Sequence, residues 1–192
     1  MSFRLFASIL ISLLAACSRT SSPAAAGADP ELTKLFEEDQ AARSAPIESV
    51  DMAKLDLEDS VRRARVRARV DVGSLRTSLD YYHAAMVLQH GRDSADYALA
   101  HQWAQQSETL DSTNADARWL VAASWDRYQM SRQLPQWYGT QTDRVPRGTG
   151  PVVLYDIDTT RVTDAERQRR GVGTLAQLRA RLDTINKRLG FH

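Results

Sequence analysis

The chain has 192 residues with 25 basic and 24 acidic side chains, so it carries no excess charge that would draw it onto nucleic acid. Its one cysteine, Cys17, excludes an intrachain disulfide and a multi-thiolate metal site.

The first predicted element is an export signal over residues 1–16. Arg4 supplies its basic start, and Leu5 to Ala16 form an apolar run without charge. Such a run is too short to span a bilayer as a permanent helix, but it suits the apolar region of a signal peptide. It ends in Leu14-Ala15-Ala16-Cys17, which resembles a lipobox. In that pattern small residues admit the signal peptidase and the cysteine thiol is acylated, typically with palmitate. The expectation is a lipoprotein anchored at Cys17, with a plain secretory signal as the alternative. Ser18, rather than an aspartate, follows the cysteine, which favours the outer membrane facing the periplasm over the inner membrane. Removing residues 1–16 takes away one charge, Arg4, and leaves basic and acidic residues equal in number.

Residues 17–30 then read as an acylated cysteine and a flexible tether, because Ser, Ala, Pro and Gly cannot bury enough apolar surface to order themselves. About 160 residues remain, enough for a single core. Residues 31–192 are expected to form one all-α domain of about six helices, with a loop-rich insertion over 135–160.

Within that domain, Pro30 opens a helix with Leu32, Leu35 and Phe36 on one face. Residues 51–72 carry Leu57, Val61, Ala64 and Ala68 at helical spacing, although 65–72 also alternates as a strand would. Acidic residues precede five arginines between 62 and 69, an order that suits a helix dipole, so helix is favoured. Those arginines fit a solvated helix face or an anionic partner. Gly73 marks the end. Thr77 or Ser78 can cap the next helix, whose face carries Leu79, Tyr82 and Met86. Further helices run over about 94–110 and 115–132, the latter with Ala117, Leu120, Val121, Ser124 and Tyr128 on one side. Small residues (Ala98, Ala100, Ala104, Ala122, Ala123) fit close antiparallel packing in tetratricopeptide-like helical hairpins, but too few positions repeat to claim a solenoid. After the insertion, where Val152 to Tyr155 can form a short strand, Thr163 and Glu166 fit a capping box. Thr174 starts a last helix with Leu175, Leu178, Leu182, Ile185 and Leu189 as its stripe. That stripe fits packing on the domain core or, alternatively, a coiled coil.

The common catalytic motifs are absent from the sequence. His83 and His90 are seven apart, so one helix face could offer them, with Asp80, to a metal. Two histidines do not define a site, and no metal or cofactor is expected. Asp126-Arg127 lies near the end of the helix before Gln136-Trp137-Tyr138-Gly139-Thr140-Gln141, so Arg127 is placed to pin helix to loop. The loop itself could cradle a ligand or simply cover the helix ends.

From these residues the sequence resembles a family of bacterial, often exported domains to which no function is assigned. Its mark is Asp-Arg followed by a Gln-x-Tyr/Phe-Gly-Thr-Gln core. The matching segments are Glu38-Asp39-Gln40 with Arg43, Asp59 with Arg62-Arg63, Asp80 to Met86, and Gln89-His90-Gly91. They continue with Ala100-His101, Ala117 to Leu120, Asp126-Arg127, Gln136 to Gln141, Val162-Thr163-Asp164 with Arg167, and Gly171-Val172. Leu134 before Pro135 departs from the pattern, which more often has glycine there. The resemblance implies a mostly helical domain and a recurring polar set: Asp39, Gln40, Arg43, Gln89, His90, Asp126, Arg127, Gln136, Tyr138, Gln141 and Arg167.

Two functions fit. One is a membrane-anchored binding or scaffold domain whose partner is an envelope protein or a peptidoglycan-related molecule. The other is an envelope hydrolase or transferase with His90 as general base, oriented by Asp126. Convergence of the polar set in one cleft would favour a ligand or enzyme site; dispersal would favour the scaffold.

Overall fold

Asp29 accepts hydrogen bonds from the backbone of Glu31 and Leu32, and Pro30 sits at the first helical position, so α1 (Pro30–Ala41) starts there. The computed structural model describes residues 27–44 and 49–191; Cys17, the signal over 1–16 and most of the tether lie outside them. Asp29 belongs to the domain, because its backbone N–H reaches Asp80 at 2.6 Å and its carboxylate pairs with Arg69.

The second helix, α2 (Met52–Asp71), is continuous through 65–72. A capping box of Thr77 with Asp80 starts α3 (Ser78–Leu88). Asp93 caps α4 (Ser94–Leu110), and Asn114 caps α5 (Ala115–Ser131). The insertion holds a two-stranded antiparallel sheet, β1 (Thr142–Arg144) paired with β2 (Val152–Leu154). Thr163 caps the short α6 (Asp164–Arg169) through the Glu166 N–H, while the Glu166 side chain turns to Arg170 instead of closing a box. A full box of Thr174 with Gln177 starts α7 (Leu175–Arg188). The fold is all-α, with seven helices among the described residues.

Contacts across the helices fix their directions. Arg69 meets Asp29 and Arg62 lies near Asp39, so α1 and α2 are antiparallel. Ser78 and Ser107 exchange hydroxyl-to-carbonyl hydrogen bonds of 2.9 and 2.8 Å, which sets α3 against α4 in opposite directions. His101 reaches the Val121 carbonyl at 3.0 Å, and α4 and α5 form the next hairpin. The fold is thus a series of antiparallel helical hairpins. Its centre is α3, where every residue from Tyr82 to Leu88 is buried. Around it close Leu32, Leu35, Val66, Ala100, Trp103, Ala104, Ala117 and Leu120. The alanines of α4 and α5 let those backbones approach; Ala98 alone of the expected set faces solvent.

Two faces differ from expectation. In α2 the apolar stripe points outward, with Leu57 67% and Val61 50% exposed. The inward face is Leu55, Asp59, Arg62 and Val66, a spacing equally helical but half ionic. It is stable because each buried charge meets its opposite. In α3, likewise, Leu79 is exposed.

The stripe of α7 does not enter the helical core, and none of its residues is fully buried. It packs on β2 and leaves a groove of about 340 Å³ lined by Leu178, Leu182, Ile185, Val152, Leu154 and Trp119. The Asn186 side-chain amide accepts from the Val152 N–H at 2.7 Å and donates to its carbonyl at 2.8 Å, which ties α7 to β2.

Candidate functional site

The polar set divides into two groups, one around Asp126 of α5 and the loop that follows, the other around Asp39 of α1. Consecutive residues such as Asp126 and Arg127 point about 100° apart.

Asp126 faces the loop. One carboxylate oxygen accepts from the backbone N–H groups of Trp137 (2.8 Å) and Tyr138 (3.0 Å), and the other from the N–H (2.9 Å) and hydroxyl (2.8 Å) of Thr140. Burial pushes its carboxyl up, and these four donors oppose that shift by favouring the charged form. Gly139, between the donors, has φ +88°, and a Cβ there would lie 2.9 Å from Leu178 and 3.2 Å from Ile157. Only glycine fits both that backbone and that space.

Gln136 closes the loop from inside, fully buried. Its amide donates to the carbonyls of Gln141 and Tyr155, both at 2.9 Å, and accepts from the Gln141 N–H at 2.9 Å. Gln141 donates in turn to the Thr140 hydroxyl. Arg167, 1% exposed, donates to the carbonyls of Trp137 (2.9 Å), Tyr138 (3.2 Å) and Val162 (2.9 Å). Arg167 thus performs the pinning expected of Arg127. Trp137 adds an edge contact to Trp125 of α5, 4.8 Å between ring centres. Tyr138 contributes its backbone to this wiring.

The second group lies where α1, α2 and α3 meet. Asp39 is fully buried and accepts from Gln40 (2.9 Å), Arg43 (2.9 Å) and His90 Nδ1 (2.9 Å). Arg43 also reaches Asp59 at 2.5 Å, and Arg62 donates to Asp59 at 2.6 Å. Of the five arginines of α2, Arg62 and Arg63 are turned inward, while Arg65, Arg67 and Arg69 keep a part-exposed face and are paired there. Arg65 pairs with Glu31, Arg67 with Asp96 and Arg69 with Asp29, while Arg63 lies 3.4 Å from Asp96 and donates to the His90 carbonyl at 3.2 Å. Asp59, Arg62, Arg63 and Asp96 join this group although sequence reasoning did not place them in it. The signal was a run of arginines in a chain whose basic and acidic residues are nearly equal in number, so that each arginine can find a carboxylate.

His90 is partnered by Asp39 and not by Asp126, whose oxygens serve the loop. Burial lowers the His90 pKa, and the charges of Arg43 and Arg127 add to that against the Asp39 carboxylate. Neutral His90 then donates Nδ1–H to Asp39. His83 goes elsewhere, stacked on Phe36 at 4.5 Å and 3.3 Å from the Thr33 hydroxyl. Among the described residues no group of three or more His, Cys, Asp or Glu side chains is arranged to hold a metal.

Gln89 is buried with its Oε1 lacking a partner, and Nε2 lies against the Met86 sulfur. Arg127 stands apart: among the described residues it forms no hydrogen bond and no ion pair, and its buried Nε has no acceptor. Burial disfavours its charge, Tyr97 and Asp39 favour it, and Arg43 opposes it.

Comparison of the chain with known protein families, curated proteins and solved structures finds no match. The reading of function rests on the sequence and this geometry.

Proposed function

We propose that this chain is an exported lipoprotein, held to the outer membrane by acylated Cys17, whose helical domain binds an envelope partner and does not turn over a substrate. The observation that carries the binding reading is the saturation of Asp126. With four donors on its two oxygens it has no capacity left to orient His90, so the rival base pair lacks its second member. Gln136 and Arg167 are spent on the loop in the same way, which supports a rigid platform under α7. The resemblance to exported bacterial domains and the Leu-Ala-Ala-Cys ending support the location. No described helix is long and apolar enough to cross a membrane.

The test is labelling with radioactive palmitate in cells expressing the parent or Cys17→Ser. The parent should take up label and fractionate with the outer membrane. The variant should remain unlabelled, and uptake by it would defeat the anchor assignment.

A further inference from the structure

We infer that the cleft between the start of α4 and the end of α5 binds an oxyanion, a carboxylate or phosphate group of a ligand, with Arg127 as its principal contact. The cleft has a volume of about 490 Å³ and is lined by Arg92, Asp93, Ser94, Tyr97, Arg127 and Met130.

A guanidinium taken partly out of water and left without an acceptor is costly, and proteins ordinarily pair it. The cations near Arg127 are engaged elsewhere: Arg43 with Asp39 and Asp59, Arg63 with Asp96, Arg92 with Asp56, and exposed Arg132 over the Tyr128 ring. Arg127 is the cation left over, and it faces the cleft. Its planar donors suit two oxygens of one anion. Ser94 is at hand as a hydroxyl donor. The N–H groups of the first residues of α4 have no intrahelical acceptor, while Asp93 is engaged with the Asp96 N–H at 2.8 Å. Arg92 is exposed and bridged only to a surface aspartate, so it can turn toward an occupant. Two groups set limits. The Tyr97 hydroxyl donates to the Gly91 carbonyl at 2.6 Å and so offers the cleft no proton, and the Asp93 carboxylate repels a second negative charge. A singly charged oxyanion therefore fits better than a multiply charged one.

This inference names a ligand class for the proposed binding domain but does not depend on the anchor, so an unlabelled Cys17 would leave it standing. The full chain is titrated with acetate, inorganic phosphate or sulfate against chloride at equal ionic strength, following its melting temperature and the His90 ring signals by NMR. Acetate or phosphate in the tens of millimolar should raise the melting temperature more than chloride does. The bound anion should also raise the His90 pKa, because it offsets the Arg127 charge that holds it down. A larger response to acetate assigns a carboxylate, and a larger response to phosphate a phosphate group. In Arg127→Gln both effects should vanish, with the variant in chloride melting no lower than the parent. Ser94→Ala should bind several-fold more weakly. The inference is overturned if the parent responds to no oxyanion beyond chloride, or if Arg127→Gln responds as the parent does.

Discussion

The two halves of the molecule are held together by different means. From Leu32 to Val121 a connected apolar core surrounds α3, and ionic groups sit beside it. From Leu134 onward no large apolar side chain is buried among the described residues; the buried side chains there are those of Gln136, Gln141 and Arg167. A segment that buries irregular backbone must give its carbonyls and N–H groups partners, and in the absence of helix or sheet those partners are side chains. The second half therefore has its shape through a few hydrogen-bonding residues, where the first has it through many apolar contacts of small individual weight.

The contrast breaks most sharply at Asp39. Asp39→Ala removes the one carboxylate that His90, Gln40 and Arg43 share, leaving buried polar groups uncompensated beside the core. A loss of about 3–5 kcal/mol is expected in denaturant unfolding of the whole domain. Arg167→Ala strips three carbonyls of their donor, and a loss of about 2–3 kcal/mol is expected. Its signature should be local, with Trp137 fluorescence changing before the helical signal in a melt. Arg167→Lys should rescue little, since one ammonium cannot span carbonyls of Trp137, Tyr138 and Val162.

The smallest effect is one of pH, and the histidines that carry it near neutrality lie in the first half. Burial holds the pKa values of His83, His90 and His101 below 6.5. Between 6.5 and those lowered values the unfolded chain binds more protons than the folded one, so stability falls as pH falls through that window and is fully present above it. Asp59 works lower on the scale. Burial alone would raise its pKa, but Arg62 and Arg43 hold it below 3.8, so its contribution is present above 3.8 and is lost on acidification below that. Melting temperature measured from about pH 8 down to pH 5 should decline. An increase would mean that His90 is charged against Asp39, or that Asp126, whose carboxyl burial pushes up, takes a proton in the folded protein.

Much of the first half was legible in the sequence. Pro30, Thr77 and Thr174 mark helix starts because caps are local chemistry, and the faces of α1 and α5 are written in apolar residues. The α2 face was not legible for a physical reason. Apolar periodicity assumes that what is buried is oily, whereas Asp59 and Arg62 are buried because Arg43 and Asp39 come to them from another helix. The loop showed its glycine and amides, but the amides of Gln136 and Gln141 turn onto the loop's own groups and Tyr155, and the end of α5 is closed by Gln133 and Leu134. Which arginine pins the loop was not readable, since the carbonyls of Trp137 and Tyr138 meet a residue 30 positions away only once α6 is folded. The joint between Asp39 and His90 is of the same kind, a contact set by α1 and α3 lying side by side. Nothing in either local stretch announces it.

Asn186 has a consequence for the company this protein keeps with copies of itself. A ribbon of two strands offers free backbone along both margins, and such margins invite a foreign strand to zip on. At Val152 the side-chain amide of Asn186 imitates a neighbouring peptide group, giving one hydrogen bond and taking one, so that margin is already occupied by the chain's own helix. α7 thus acts as a permanent chaperone of its own hairpin.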